Sequence, residues 1–428
     1  MREMKDTGVV WCPTIPKEWH IEKVKNYFYI SKDLATETNP TVLKLARSGI
    51  CVKDVTTNEG QMAESYDNYN KVKAGDLLLN PMDLYSGANC NVSEIEGVIS
   101  PAYTNLRLKA SANSKFYDYY FKTQYWAMAM FAHGKGVSYD NRWTINAEGV
   151  KNYEIPVPSI EEQNAIVESI QRDTAKVDAL IANQEAQIEK LKAYKQSLIT
   201  EVVTKGLDPN VPMKDSGVEW IGNIAANHSV WKLKFMLSEP MMYGANESGE
   251  SKSEHSARYI RITDITADNS LKDDENNLYL ANDKAEPYIL SDKDILFARS
   301  GGTVGKSFMY REEYGRSAFA GYLIKAKCNQ KKLIPEYLLY YTQSSLYEIW
   351  KNMIFIQATI QNIGANKYSN MEMVVMPIAE QKEMVDYLDE KCSKVDSLIA
   401  IKNAKIEKLS QYKKSLIYEY VTGKKEVI

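Results

Sequence analysis

Apolar residues recur at alternating steps of three and four along two long stretches of the chain, residues 159–205 and 378–422. Neither stretch contains glycine or proline. This near-heptad spacing predicts one apolar seam along each of two helices, each about 65 Å long at about 1.5 Å per residue. The predicted seam consists of Ile166, Ile170, Val177, Leu180, Ile181, Ile188, Leu191, Leu198 and Val202 in the first helix, and of Met384, Leu388, Val395, Leu398, Ile399, Ile406, Leu409, Leu416 and Val421 in the second.

The two helical stretches are copies of one another. Residues 162–204 reappear 218 positions later as residues 380–422, with 22 identities among 43 positions. A shorter pair of matching segments, which we call the frame blocks, lies at 4–28 and 213–237. The chain therefore consists twice of a frame block, a divergent insert and a long helix. Because neither helix can bury such a seam alone, we predict that the two pack on each other as a coiled coil, with two unrelated surface helices as the alternative. The connection is long enough for either direction, and the equivalent frame blocks favour an antiparallel arrangement, related by an internal pseudo-two-fold axis.

The inserts, roughly residues 29–158 and 238–377, combine short β-type runs with aromatic helical segments. Each ends in a short apolar run directly before its long helix, as expected of α+β domains that share one fold. The predicted boundaries are 1–158 for a first domain with its frame block, 159–206 for a central helix, 207–377 for a second domain with its frame block, and 378–428 for a C-terminal helix.

Composition places the chain in a broad class only. Lys and Arg number 53 and Asp and Glu 56, so the formal net charge is −3 and gives no global indication of nucleic-acid binding. There is no apolar run long enough for a membrane span and no apolar segment of a signal peptide at the start. The five cysteines are scattered and never spaced as CxxC, which argues against disulfides or zinc and predicts a cytoplasmic protein.

Charge is segregated within the inserts. Residues 51–100 and 239–298 carry an acidic excess, whereas residues 101–153 and 299–370 carry a basic excess. A basic half rich in Tyr, Asn and Gln is typical of a surface that contacts phosphates and base edges. A solvated charged face without a ligand remains the alternative on charge alone.

Two motifs invite a chemical interpretation, and neither is complete. The segment 294–307, DILFARSGGTVGKS, resembles a phosphate-binding P-loop, but only three residues separate Gly301 from Gly305 where that motif has four. Residues 80–83, Asn-Pro-Met-Asp, match half of the Asn/Asp-Pro-Pro-Tyr motif of amino-methyltransferases. The sequence therefore predicts no active site. Trp11, Trp220, Tyr194 and Tyr412 are expected to be packing residues.

The order of the segments and their amino-acid sequences resemble those of the specificity subunit of type I restriction–modification systems. The specific matches are MKDSGVEWIGNI from Met213, the long-helix sequence from Glu161 and its copy from Glu380, RYIRITDIT from Arg258, and DILFARSGGTVGKS from Asp294. The Ile-Pro-x-x-Trp of the first frame block, Ile15 to Trp19, is replaced by Ile224 to His228 in the second. This change leaves open whether the second frame packs as the first does.

The resemblance implies two target recognition domains, each reading one half of a bipartite double-stranded DNA target, with the helices acting as a ruler for the spacer. It implies two methyltransferase subunits and two restriction/translocase subunits as partners, which would bind S-adenosylmethionine, ATP and Mg²⁺, so that this chain is non-catalytic and holds no cofactor. A P-loop-like nucleotide-binding protein and a tandem structural adaptor are the alternatives. The candidate DNA-binding residues are Tyr139, Asn141 and Arg142 in the first domain, and Arg299, Thr303, Lys306, Gln357, Gln361 and Asn362 in the second.

Overall fold

The chain folds into two compact units, and each unit takes part of both long helices. A computed structural model describes residues 2–35, 40–46, 48–54, 65–85, 89–136, 143–266, 270–272, 276–356 and 361–427. The first unit comprises Met1–Gln184 with Asn403–Ile428, and the second comprises Glu185–Lys402. In the described parts of the chain, no helix has an apolar stretch long enough to cross a bilayer.

The first half of the chain contains, in order, β1 (Met4–Asp6), β2 (Thr14–Pro16), β3 (His20–Lys23), α1 (Val24–Tyr27), β4 (Phe28–Ile30), β5 (Leu43–Ala46), β6 (Gly49–Val52), β7 (Asn70–Val72), β8 (Leu77–Leu79), β9 (Cys90–Val92), β10 (Gly97–Ile99), β11 (Thr104–Leu108), α2 (Ser114–Trp126), α3 (Ala147–Asn152), β12 (Glu154–Val157) and the long helix α4 (Ile160–Lys205).

The second half contains β13 (Met213–Asp215), β14 (Asn223–Ala225), β15 (Ser229–Lys232), β16 (Met242–Tyr243), β17 (Ser256–Ile260), β18 (Tyr279–Ala281), α5 (Asn282–Ala285), β19 (Ile295–Ala298), β20 (Ser307–Met309), β21 (Ser317–Phe319), β22 (Leu323–Ala326), α6 (Pro335–Tyr341), α7 (Ser345–Ile356), α8 (Ala365–Ser369), β23 (Glu372–Val375) and the long helix α9 (Ile378–Val421). The two predicted long helices are thus confirmed.

A four-stranded antiparallel sheet forms the centre of each domain. Its order is β4-β11-β8-β9 in the first unit and β16-β22-β19-β20 in the second. The central registers also correspond, since Leu78 lies opposite Asn105 and Leu296 lies opposite Lys325. The prediction that both inserts share one fold is therefore confirmed at the level of the central sheet. The second unit adds a sheet of order β18-β17-β21, in which β17 and β21 run parallel.

The long helices pair antiparallel within each unit. In the first unit, Lys413 Nζ of α9 lies 2.7 Å from Asp178 Oδ1 of α4. In the second unit, Lys195 Nζ of α4 lies 2.6 Å from Asp396 Oδ2 of α9. Asp178 and Asp396 are equivalent positions of the repeat, as are Lys195 and Lys413. Each unit therefore repeats the same ion pair with the two helices exchanging roles, which confirms the predicted antiparallel packing inside both units.

Part of the predicted seam faces solvent instead of the partner helix. Leu180 and Leu398 are each 47% exposed, and Tyr194 and Tyr412 are each 55% exposed. The prediction that these tyrosines are packing residues is therefore wrong within each unit. The periodicity predicts Leu180 and Leu398 within the apolar stripe and the two tyrosines next to it. The contact between two helices covers only part of the width of that stripe, so all four residues remain exposed.

The second frame block keeps the anchor of the first despite its changed sequence. Trp19 Nε1 donates to Glu162 Oε2 at 2.8 Å, and Glu162 also pairs with Arg2. At the equivalent place in the second unit, His228 Nε2 lies 2.7 Å from Glu380 Oε1. Both the tryptophan and the histidine are buried, and each offers a ring nitrogen to the carboxylate near the start of a long helix. The replacement of Trp by His thus preserves the contact between frame and helix.

A buried glutamine at the next position ties each long helix to its domain. Gln163 Oε1 accepts from the backbone N–H of Asn113, and Gln163 Nε2 donates to the carbonyl of Pro158. Its equivalent, Gln381, accepts from the N–H of Ile334 and donates to the carbonyls of Lys332 and Met376. Because both amides are buried, they satisfy backbone groups that have no access to water.

We expect Gln381→Leu to destabilise the second unit by about 2–3 kcal/mol, because the substitution leaves buried backbone groups without partners. For a unit of this size, the loss corresponds to a decrease of roughly 4–10 °C in the midpoint of thermal unfolding, measurable by calorimetry. The matched control is Gln411→Leu at an exposed position of α9, where a shift below about 2 °C is expected. Equal shifts for both variants would show that Gln381 does not anchor the helix.

Candidate nucleic-acid interface

In each unit, a buried tyrosine fixes the base of the loop that follows a central strand. After β8, Tyr125 Oη donates to the carbonyl of Asn80 at 2.8 Å. At the end of β19, Tyr368 Oη donates to the carbonyl of Ala298, the equivalent residue, at 2.9 Å. Burial raises the pKa of both tyrosines. Both hydroxyls therefore remain protonated donors at neutral pH, and the two loops begin from the same rigid base.

A second segment of the chain lies beside this loop in each unit. The N–H of Ile145 donates to the carbonyl of Pro81, and the N–H of Ile363 donates to the carbonyl of Arg299, both at 2.9 Å. The donors and the acceptors are both separated by 218 positions, so the contact is repeated. The two neighbouring segments form what we call the loop edge, which comprises the described residues of 80–89 and 143–145 in the first unit and of 298–306 and 361–363 in the second.

The structure brings together five of the predicted DNA-binding residues at the loop edge of the second unit. Lys306, Gln361 and Asn362 are exposed there, and Arg299 is partly buried. Ser300 and Asn362 form a backbone bridge, which joins the two segments. Thr303 lies at the same edge, but its Oγ1 is covered and has no hydrogen-bond partner among the described residues.

The other four predicted residues, Tyr139, Asn141, Arg142 and Gln357, lie outside the described residues. Three of them directly precede Trp143, which begins the described part of the second segment in the first unit. Gln357 stands in the corresponding part of the second unit, shortly before Gln361. Their contribution to DNA binding stays a prediction.

Both motifs that suggested chemistry occupy the same loop of the fold. Asn80-Pro81-Met82-Asp83 follows β8, and the glycine segment 301–305 follows the equivalent strand β19. Asn80 Oδ1 accepts from the N–H of Met82, so this side chain shapes its own turn. The likeness of each segment to an enzyme motif therefore reflects a turn after a buried strand.

The glycine segment closes a β-hairpin and does not lead into a helix. β19 and β20 pair antiparallel, with Phe297 opposite Ser307. The N–H of Ala298 donates to the carbonyl of Lys306, and Gly305 closes the turn at φ +84°. A P-loop binds phosphate at the N-terminus of the helix that follows it. Gly305, Lys306 and Ser307 stand instead at the start of a strand.

Aromatic residues at the loop edges escaped the sequence analysis. In the first unit, Tyr85 is 61% exposed and its ring contacts Phe131, which stacks on Trp143 with ring centroids 5.5 Å apart. Gly134 permits this stack, since a Cβ there would lie 2.3 Å from Trp143 Nε1. Because the chain has 29 tyrosines, no local signal distinguishes Tyr85, and only the strand topology places it at the edge.

In the second unit, Tyr243 and Tyr322 lie beside Arg299 and are exposed. The N–H of Arg299 donates to the carbonyl of Tyr322 at 3.0 Å. Tyr243 belongs to β16 and Tyr322 directly precedes β22, so the two are far from Arg299 in sequence. Pairing of β16 and β19 with the same strand, β22, brings them together.

Comparison with known proteins shows which family this chain resembles. Residues 245–411 match the family described as type I restriction modification DNA specificity domain. The StySPI specificity subunit of Salmonella potsdam, a type I restriction enzyme subunit, is 20% identical over 347 residues, which cover 80% of this chain and 69% of the relative. Over most of its length, the chain therefore resembles the specificity subunits of type I restriction–modification systems. The MjaVIII specificity subunit of Methanocaldococcus jannaschii is 22% identical over 390 residues, 87% of this chain and 80% of the relative.

A solved structure agrees on the fold. A chain from a structure described as the basis of complex assembly and conformational transition of the type I R-M system superposes with a TM-score of 0.66. The alignment covers 95% of this chain and 98% of that chain, at 13% sequence identity. The frame, insert and helix order is therefore shared in three dimensions where the sequences have diverged.

We expect Lys306→Ala to weaken binding of target and non-target duplexes alike, because Lys306 is an exposed cation at the loop edge and would contact phosphate. The slope of log affinity against log salt should fall by about one. Fluorescence anisotropy of the complex with its partner subunits across a salt series measures both quantities. Lys331→Ala is the matched control, since this exposed lysine lies beyond the opposite end of β22. If wild type binds ATP and Lys306→Ala abolishes that binding, a nucleotide site must replace this interpretation.

Proposed function

We propose that each domain of this specificity subunit reads one half of a bipartite DNA target, and that the long helices set the spacer between the halves and dock methyltransferase subunits. The observation that carries the proposal is the repetition of the loop edge in both units on the same four-stranded sheet. Two copies of one binding edge in a single chain favour a target with two recognised parts.

The chemistry of the two loop edges differs, which supports an asymmetric target. Arg299 in the second unit offers a guanidinium group, whereas the equivalent position in the first unit is Pro81, which has no side-chain donor. Lys306, Gln361 and Asn362 add a charge and amide groups to the second edge, while Tyr85 and Trp143 make the first edge more aromatic. Two edges with such different donors select different base pairs.

The length of the helices suits a spacer of fixed size. α4 has 46 residues and α9 has 44. At about 1.5 Å per residue, each helix is about 65–70 Å long, close to two turns of B-DNA at about 34 Å per turn. A ruler of this length would let two domains read separate major-groove faces.

Exposed apolar residues of the helices support two equivalent docking sites for partner subunits. The first unit exposes Leu180 and Tyr412, and the second exposes the equivalent Leu398 and Tyr194. Each residue lies within two positions of the repeated ion pair along its helix. Identical apolar residues retained at exposed positions of both copies fit a partner that binds once to each unit.

In this proposal the specificity subunit is not itself catalytic. S-adenosylmethionine, ATP and Mg²⁺ would be bound by two methyltransferase subunits and two restriction/translocase subunits, and this chain would supply DNA selection and assembly. A tandem structural adaptor without nucleic-acid contact is the competing function. A complex with its partners that showed no salt-dependent affinity for DNA would favour the adaptor.

We expect deletion of residues 183–189 from α4 together with the equivalent residues 401–407 from α9 to shorten the methylated target by about three base pairs of spacer. The deletion removes about 10 Å of helix and keeps both ion pairs, and B-DNA rises about 3.4 Å per base pair. Mapping methylated adenines in cells that express the variant with its methyltransferase measures both half-sites and the spacer. Altered half-sites with an unaltered spacer would refute the ruler.

We expect the double variant Leu180→Ser, Tyr412→Ser to bind one methyltransferase subunit fewer than wild type, because it removes one of two exposed apolar sites. Native mass spectrometry of the purified complex counts the subunits. The double variant Glu189→Ser, Glu407→Ser alters exposed charged positions of the same helices and serves as the control. Full occupancy in the first variant would exclude these residues from the docking surface.

A further inference from the structure

Arg299 is fixed by its backbone on both sides. It directly follows β19, where its N–H donates to the carbonyl of Tyr322 at 3.0 Å and its carbonyl accepts from the N–H of Ile363 at 2.9 Å. Two different segments therefore hold the backbone of this residue. The side chain starts from a position with little freedom, unlike a side chain at the tip of a loop.

Tyr243 fixes the guanidinium group. The Cζ atom of Arg299 lies 5.0 Å from the centroid of the Tyr243 ring, within the range of a cation–π contact. The hydroxyl of Tyr243 accepts from the N–H of Ala365 at 2.9 Å, which anchors the ring. Strand pairing of Tyr243 with Ile324 anchors its backbone. The ring and the guanidinium plane thus form a prearranged pair at the loop edge.

The guanidinium group has no acidic partner within the described part of the chain, in contrast to two other arginines of the second unit. Arg261 pairs with Asp264 at 2.8 Å, and Arg316 pairs with Glu286 at 2.5 Å. Arg299 Nε is buried without a hydrogen-bond partner among the described residues. Because Nε is covered, the two terminal Nη groups are the donors left for a ligand.

We propose that Arg299 reads a guanine in the half-site of the second domain, with its Nη groups donating to guanine O6 and N7, and that Tyr243 is its positioning residue. This inference rests on the proposed function. A planar donor pair held in one orientation matches the two acceptors that guanine presents in the major groove. Because Arg299 is partly buried, its guanidinium group would contact a base that lies against the loop edge. Lys306 is exposed, and its side chain would extend to the phosphate backbone.

The test uses the complex of the full chain with its partner subunits, on the target that adenine-methylation mapping defines for wild type. Each guanine of the second half-site is replaced in turn by 7-deazaguanine, which lacks the N7 acceptor but keeps base pairing. We expect one replacement to weaken wild-type binding about 10-fold or more, and to have no effect on Arg299→Gln. The same variant should tolerate any base pair at that position in the methylation map, with the first half-site unchanged.

Tyr243 variants separate positioning from folding. Tyr243→Phe removes the hydrogen bond from Ala365, but its ring stays next to Arg299 through the strand pairing with Ile324, so it should retain most of the discrimination at this guanine. Tyr243→Leu has no ring and should lose roughly 10-fold of the discrimination, while thermal unfolding of both variants stays alike. Arg311→Gln, which alters an exposed arginine away from the loop edge, is the matched control and should change neither specificity nor the 7-deazaguanine effect.

Three other outcomes would each contradict one part of the proposal. If Arg299→Gln weakens all duplexes equally and lowers the salt slope by about one, Arg299 contacts phosphate and the guanine assignment is wrong, while the proposed function stands. If Tyr243→Phe and Tyr243→Leu have equal discrimination, the ring does not position Arg299. If wild type yields no split methylation motif, the proposed function itself fails.

Discussion

Burial of the apolar seam of two long helices is the constraint on which both units depend. The core of the first unit takes Ile166 and Ile170 from the start of α4, together with Leu416 and Ile417 from the end of α9. The core of the second unit makes the reverse choice, with Met384 and Leu388 from the start of α9 and Ile199 and Val202 from the end of α4. Neither unit can complete its core without both helices, so each domain requires both halves of the repeated sequence.

Polar anchors at equivalent positions explain how the copies diverge while the fold stays the same. The glutamine near the start of each long helix satisfies buried backbone groups that no apolar residue could satisfy, and it is identical in both copies. The neighbouring contact tolerates exchange, since Trp19 and His228 both offer a ring nitrogen to a carboxylate. The fold constrains the hydrogen-bonding capacity at this place more strongly than the residue type.

The loop edges also combine fixed residues that maintain the fold with residues that can differ between the two units. Tyrosine hydroxyls and backbone hydrogen bonds fix the base of each loop edge, and burial keeps these tyrosines protonated. Between the fixed points, the loops contribute Leu84 to the core of the first unit and Val304 to the margin of the core of the second. Most of their other described residues are partly buried or exposed, so their sequence can change at less cost in stability than that of the core strands. Arginine and proline at equivalent positions, Arg299 and Pro81, show how far two edges on one scaffold differ. Many of the abundant tyrosines of the inserts thus serve as structural donors, and few are exposed as candidate DNA contacts.

The sequence by itself determined the repeat and the two long helices, because an apolar period of three and four residues is a local pattern with one economical burial partner. It favoured antiparallel pairing through the equivalent frame blocks, and the ion pairs between the helices confirm that direction. The sequence also indicated which family the chain resembles, since the repeated blocks are long enough to be specific. Only the tertiary structure decided which seam residues are covered, as the exposed Leu180 and Tyr194 show, because coverage depends on the width of the helix contact. The tertiary structure also places Tyr243 and Tyr322 next to Arg299 and shows that the two apparent enzyme motifs form equivalent turns, one in each unit. These relations arise from strand pairing between distant segments, which leaves no local pattern in the sequence.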